Sequence, residues 1–121
     1  MITFQNLIDH GYSEYSVPLY LSHTKAQKFF QKKVKLTPED EFYIDVYIYD
    51  FRSYDPQMGV DFVFECQFNA EYPGTAFNIS TLGWKNEEPT LERVEEFFTE
   101  LYMFSKKFRK LKEDNMHFYF L

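Results

Sequence analysis

Apolar residues recur at every second position through the middle of the chain and at every third or fourth position near its end. Within 42–51, Phe42, Ile44, Val46 and Ile48 alternate with Tyr43, Asp45, Tyr47 and Tyr49. That is the period of a strand with one buried face. Val60, Phe62, Phe64, Cys66 and Phe68 repeat it, with Asp61, Glu65, Gln67 and Asn69 in the opposite phase and only Val63 breaking the pattern. Between these runs, Asp55-Pro56 and Gly59 supply turn chemistry. Tyr72-Pro73-Gly74 then makes a tight connection to a third run, 75–84, whose inward residues are Phe77 and Ile79. The three runs predict an antiparallel meander.

From Leu91 the period changes. Leu91, Val94, Phe98, Leu101, Phe108 and Leu111 follow helical spacing, with Phe97 and Phe104 widening the stripe, and Asn86-Glu87-Glu88-Pro89-Thr90 reads as the helix start. Glu92, Glu95, Glu96 and Glu100 crowd the first half and Lys106, Lys107, Arg109, Lys110 and Lys112 the second, which complements the helix dipole at both ends. After Asn115, MHFYFL reads as a terminal strand.

The first third is more varied. Thr3 can cap a short helix with Phe4, Leu7 and Ile8 on one side and Gly11 just past its end. VPLYL at 17–21 is extended, with Pro18 suited to an edge. Thr24 opens TKAQKFFQKK, in which Ala26, Phe29 and Phe30 form one helical face. Thr37-Pro38-Glu39-Asp40 is a polar turn. Together these elements predict a single α+β domain over 1–121. It would be a curved antiparallel sheet with a long C-terminal amphipathic helix on one face and small N-terminal elements completing it.

Composition sharpens this picture. Of 121 residues, 45% are hydrophobic and 21% aromatic, including 15 Phe and 10 Tyr. Each large ring can bury roughly 150–250 Å², so the chain has the apolar material to fold rather than remain disordered. The net charge of −6 argues against a nucleic-acid or membrane-surface partner, and no apolar run approaches the ~18 residues of a spanning helix. The start, MITFQNLIDHGY, has no basic segment and puts Asp9 and His10 where a signal peptide would be apolar. With one cysteine, Cys66, no intramolecular disulfide can form. A soluble, cytoplasmic protein is expected.

Candidate chemistry is sparse. His10, His23, His117 and Cys66 lie far apart with no metal-ligand spacing. Gly11, Gly59, Gly74 and Gly83 form no phosphate-binding motif, and no nucleophile elbow is present. No catalytic residue, metal or cofactor is therefore assigned, and the protein is not expected to be an enzyme. The competing expectation is a small enzyme using dispersed carboxylates, for which Asp45, Asp61 and Glu65 share the non-core phase of the sheet. Lys25, Lys28, Lys32, Lys33 and Lys35 with Phe29 and Phe30, and the run 106–110, imitate nucleic-acid patches. Between them, however, residues 37–100 hold fifteen acids against Arg52, Lys85 and Arg93, a net of −12, which repels a phosphate backbone.

That acidic middle carries the main functional expectation. Tyr43, Asp45, Tyr47 and Tyr49 on one strand and Asp61, Glu65 and Gln67 on the next would form a tyrosine–carboxylate surface facing away from the helix. Tyrosine gives contact area at low entropy cost, and carboxylates steer and pair with a basic protein partner. Alternatively, the N-terminal elements cover this face and use its tyrosines as core. In size, acidity and absence of chemical motifs the chain resembles small immunity proteins of bacterial toxin systems and phage-encoded inhibitors of host defence. The resemblance implies an inhibitor that occupies a basic, nuclease-like active site; it rests on no family motif and carries over no residue role. An export-type chaperone or adaptor binding an extended peptide is the alternative from a different class.

Overall fold

The computed structural model describes residues 2–17, 26–52, 55–57, 59–67, 76–80 and 90–113, without the side chains of 67, 76–78 and 108–113. Helix α1 (Phe4–Asp9) is followed by strands β1 (Ser13–Tyr15), β2 (Lys28–Lys35), β3 (Glu41–Asp50), β4 (Val60–Gln67) and β5 (Ala76–Ser80), then helix α2 (Leu91–Glu113). The strands form one open antiparallel sheet in the order β1-β2-β3-β4-β5. The protein is thus α+β, with both helices on the same face of the sheet.

The period-two pattern becomes the core. Phe42, Ile44, Val46 and Ile48 of β3 and Phe62, Phe64 and Cys66 of β4 are all buried, and they cluster with Leu91, Val94, Phe98 and Tyr102 of α2. Val60, Ile79 and Leu101 pack around the rim. Phe77 is placed by its backbone opposite Cys66. Phe68 and the expectations for 18–21, 72–74, 81–89 and 114–121 lie outside the described residues, as do the side chains of Phe108 and Leu111.

Two expectations are corrected. The run 24–33 was expected to be helical, but Lys28–Lys35 is strand β2, paired with β3 along its whole length. Phe30 and Val34 fall opposite Val46 and Phe42 on the core face, whereas Phe29 falls opposite Tyr47 on the other. The adjacent phenylalanines therefore serve opposite faces of a sheet, not one stripe of a helix. Phe97 and Phe104 do not widen the core stripe of α2: they are 44% and 67% exposed. Tyr102 takes the core position, stacking on Phe42 with ring centroids 5.0 Å apart. Its hydroxyl leaves the apolar region to donate to Asp40 at 3.1 Å.

The turns and caps follow local chemistry. Thr3 and Asn6 form a reciprocal capping box at the start of α1. At its end Gly11, with φ +89°, allows Gly11 N–H to reach the Ile8 carbonyl at 3.1 Å and Tyr12 N–H the Leu7 carbonyl at 2.9 Å. These are the two bonds of a Schellman cap, and the buried Tyr12 and Leu7 side chains accompany it. At the β2–β3 turn, Leu36 N–H donates to the Asp40 carbonyl at 2.8 Å. Lys106 of α2 donates to both carboxylate oxygens of Asp40, at 2.7 and 2.6 Å. These bonds fasten the turn to the helix, and the Lys106 ammonium and Thr37 hydroxyl hold the Asp40 carboxyl below its usual range.

Both helices meet at His10. Its Nδ1 lies 2.9 Å from the Asn6 carbonyl and its Nε2 2.9 Å from the Glu92 carboxylate. Both partners are acceptors, so the geometry is satisfied only by the doubly protonated imidazolium. The hydrogen bond to Glu92, then that to Asn6, raises the His10 pKa above its ordinary 6.5. A raised folded value means this contact stabilises fully below the unfolded pKa and is lost as pH rises through the folded one. The stability difference between wild type and His10→Gln should therefore be largest below the ordinary histidine value of 6.5 and shrink as pH rises above it. Denaturant titrations on either side of that value check it; a constant difference would sink this account.

Candidate functional site

The face of the sheet opposite the helices is ordered by the strand register. Tyr15, Phe29, Tyr47, Val63 and Ser80 fall on one line across all five strands. Along it, the Phe29 and Tyr47 rings lie 5.2 Å apart and the Tyr15 and Phe29 rings 6.4 Å apart. The next line is polar: Ser13, Gln31, Asp45, Glu65 and Asn78. An aromatic row thus runs beside a row whose centre is two carboxylates on adjacent strands.

Within this face the seven residues singled out from sequence occupy different environments. Tyr43 is 46% exposed, and Lys33, bridged to Glu41 at 3.2 Å, lies 6.0 Å from its ring. Tyr49 is half-buried and stacks on Phe51 with centroids 6.1 Å apart. Tyr47, by contrast, is buried to 4% exposure and Asp61 to 8%. Ser80 donates to both Asp61 oxygens, at 2.9 and 2.8 Å. Asp45 and Glu65 are half-buried and directly opposite each other. Gln67 pairs through its backbone with Ala76, and its side chain lies outside the described residues.

Residues 2–12 do not account for the burial of Tyr47, because α1 packs on the helix side, where Phe4 stacks on Phe30 and meets Phe62 at a tilt. Phe29, itself 7% exposed, supplies part of the cover. Sequence reasoning missed Phe29, Gln31 and Tyr15 as members of this face. All three come into view once 28–35 is read as a strand.

Electrostatics single out the Asp45–Glu65 pair. They lie directly opposite each other on the neighbouring interior strands β3 and β4. Gln31 donates to Asp45 at 2.8 Å, which favours the ionised carboxylate. Burial outweighs that bond and holds the Asp45 pKa above the ordinary aspartate value. Beneath them, Cys66 is pushed up to about 12 by burial and then by these same two carboxylates, so it is an unreactive thiol.

Comparison with known protein families, curated proteins and solved structures finds no match to this chain. Function is therefore argued from the geometry. Among the described residues no three His, Cys, Asp or Glu groups gather as metal ligands, and no helix is long and apolar enough to cross a membrane. His23 and His117 lie outside those residues. A shallow cavity of about 420 Å³ opens between Glu14, Tyr15, Ser16, Val17, Gln27 and Lys28.

Proposed function

We propose that the protein is a protein-binding inhibitor whose second sheet face docks onto a basic surface of its partner. The supporting observation is the polar row on this face, where Asp45 and Glu65 lie directly opposite each other beside the exposed Tyr43, since carboxylates placed next to tyrosine contact area steer and pair with a basic partner. Tyr43 and Tyr49 flank this pair and supply contact area, while Tyr47 and Asp61, buried and bonded, hold the strands that present it. A toxin with a basic active site, of the kind neutralised by an immunity protein, fits these requirements, as does a basic target of a phage anti-defence inhibitor. Strand addition at a sheet edge is less well supplied: among the described residues the edge strands are three and five residues long.

The test begins with capture of the partner by the tagged full chain at low and high salt, followed by titration calorimetry with the purified partner. Asp45→Asn with Glu65→Gln removes both charges, retains the side-chain shapes and leaves Gln31 an acceptor. We expect affinity for the partner to fall tenfold or more, with the far-ultraviolet spectrum of the free protein unchanged. Unchanged affinity would discard this face as the binding surface.

A further inference from the structure

Helix α2 carries a second apolar stripe besides the one that packs on the sheet. Phe97, Leu101, Phe104, Phe108 and Leu111 are separated by four, three, four and three residues, the spacing of a coiled-coil seam. The whole span lies within the helix Leu91–Glu113. The core stripe uses Leu91, Val94, Phe98 and Tyr102, and among the described side chains the two stripes meet at the half-buried Leu101. At the exposed end of this seam Phe97 and Phe104 present large rings to solvent, 44% and 67% exposed.

Charge along the helix says what can cover the seam. Several ionic groups of α2 are already engaged inside the domain: Glu92 with His10, Glu95 with Lys32 and Lys106 with Asp40. Glu96, Glu100 and Lys107 are exposed and form no ion pair among the described residues. On the heptad of this seam the flanking position holds Glu100 in the first half and, seven residues later, Lys107 in the second. In a parallel neighbour Glu100 and Lys107 are not set against each other, whereas an antiparallel neighbour sets Glu100 of one copy against Lys107 of the other, and a two-fold axis makes both contacts at once.

We propose that two copies of this chain associate through α2, antiparallel, along the seam Phe97–Leu101–Phe104–Phe108–Leu111. With the two-fold axis at Phe104, position 97 of one copy faces position 111 of the other, and Glu100 faces position 107. The sheet face bearing Asp45 and Glu65 lies on the far side of the domain from α2 and stays clear in both copies. The inference is independent of the proposed function.

Sedimentation velocity on the full chain, over roughly 1–200 μM to span a concentration-dependent equilibrium, tests it. Wild type should shift from monomer toward dimer across that range. Phe104→Glu should remain monomeric with an unchanged far-ultraviolet spectrum, since the ring it replaces is exposed. Glu100→Lys and Lys107→Glu should each weaken association at least threefold, and the double reversal Glu100→Lys/Lys107→Glu should restore it. A wild type that stays monomeric throughout overturns the proposal and gives the seam to residues 114–121 or to a different protein. A dimer that survives Phe104→Glu puts the interface elsewhere, and a double reversal that fails to restore association excludes the antiparallel arrangement.

Discussion

Truncating Phe98 to alanine is expected to remove about 3–5 kcal/mol of folding stability, the range for deleting a fully buried aromatic ring. Phe98 has no exposed surface and lies in the cluster that joins α2 to β3 and β4. Its neighbours Phe64 and Ile44 are equally sealed, so the surrounding side chains have little freedom to collapse into the space left. A domain of this size is stable by only about 5–15 kcal/mol, so the loss is a large share of the total. Urea titration should show a lower midpoint with an unchanged slope. Phe97→Ala is the matched control. It deletes the same ring one residue earlier, from a 44% exposed position, and should cost the monomer less than about 1 kcal/mol. Equal losses at the two sites would mean that α2 is rotated from the placement described above.

The second large effect belongs to Glu95. Its Oε1 accepts from the Tyr12 hydroxyl at 3.1 Å and from Lys32 Nζ at 2.8 Å. One carboxylate thus joins α2 to the C-terminal cap of α1 and to the core side of β2. Both side chains of the ion pair are mostly buried, at 23% and 22% exposure, and burial, followed by the nearby Glu95 charge, pushes the Tyr12 phenol up. Glu95→Ala leaves the phenol and the ammonium without this acceptor. An orphaned buried polar group costs about 1–3 kcal/mol, and the partial exposure of Lys32 lets it recover some hydration, so about 2 kcal/mol is expected. Tyr12→Phe, which removes one donor and keeps the ion pair, should cost about 1 kcal/mol. If Glu95→Ala proved as mild as Tyr12→Phe, the lysine bridge would contribute nothing measurable.

These sites also show which parts of the structure could be read in advance. The β3 and β4 phases were legible because one face of each strand is almost wholly apolar, and the Thr3 and Gly11 caps because their chemistry is local. Strand β2 was not. It places Lys32 on the core face, which is tolerable only because Glu95, 63 residues later, supplies a partner, and no local pattern contains that partner. Tyr102 escaped the core stripe for a related reason. Its ring belongs to the core while its hydroxyl needs an acceptor, and the acceptor is in a turn 62 residues earlier. The tyrosine–carboxylate face was legible as a phase of two strands. Its division into exposed Tyr43 and buried Tyr47 was not, because that depends on Phe29, which joins the face only once β2 is a strand.

The succession of strands has a kinetic consequence. Each strand pairs with the one before it, so the sheet can grow by closing one loop at a time, the arrangement that favours rapid folding. The contacts between the first helix and the last are different: His10–Glu92 and Tyr12–Glu95 span 82 and 83 residues. Closing so long a loop is entropically the most expensive step, and it is easiest after the sheet exists to receive both helices. The stability lost in Glu95→Ala should then be found almost entirely in a faster unfolding rate, with the refolding rate little changed. For this protein the bond between its two ends would set how long the folded state lasts, while the meander sets how quickly it is reached.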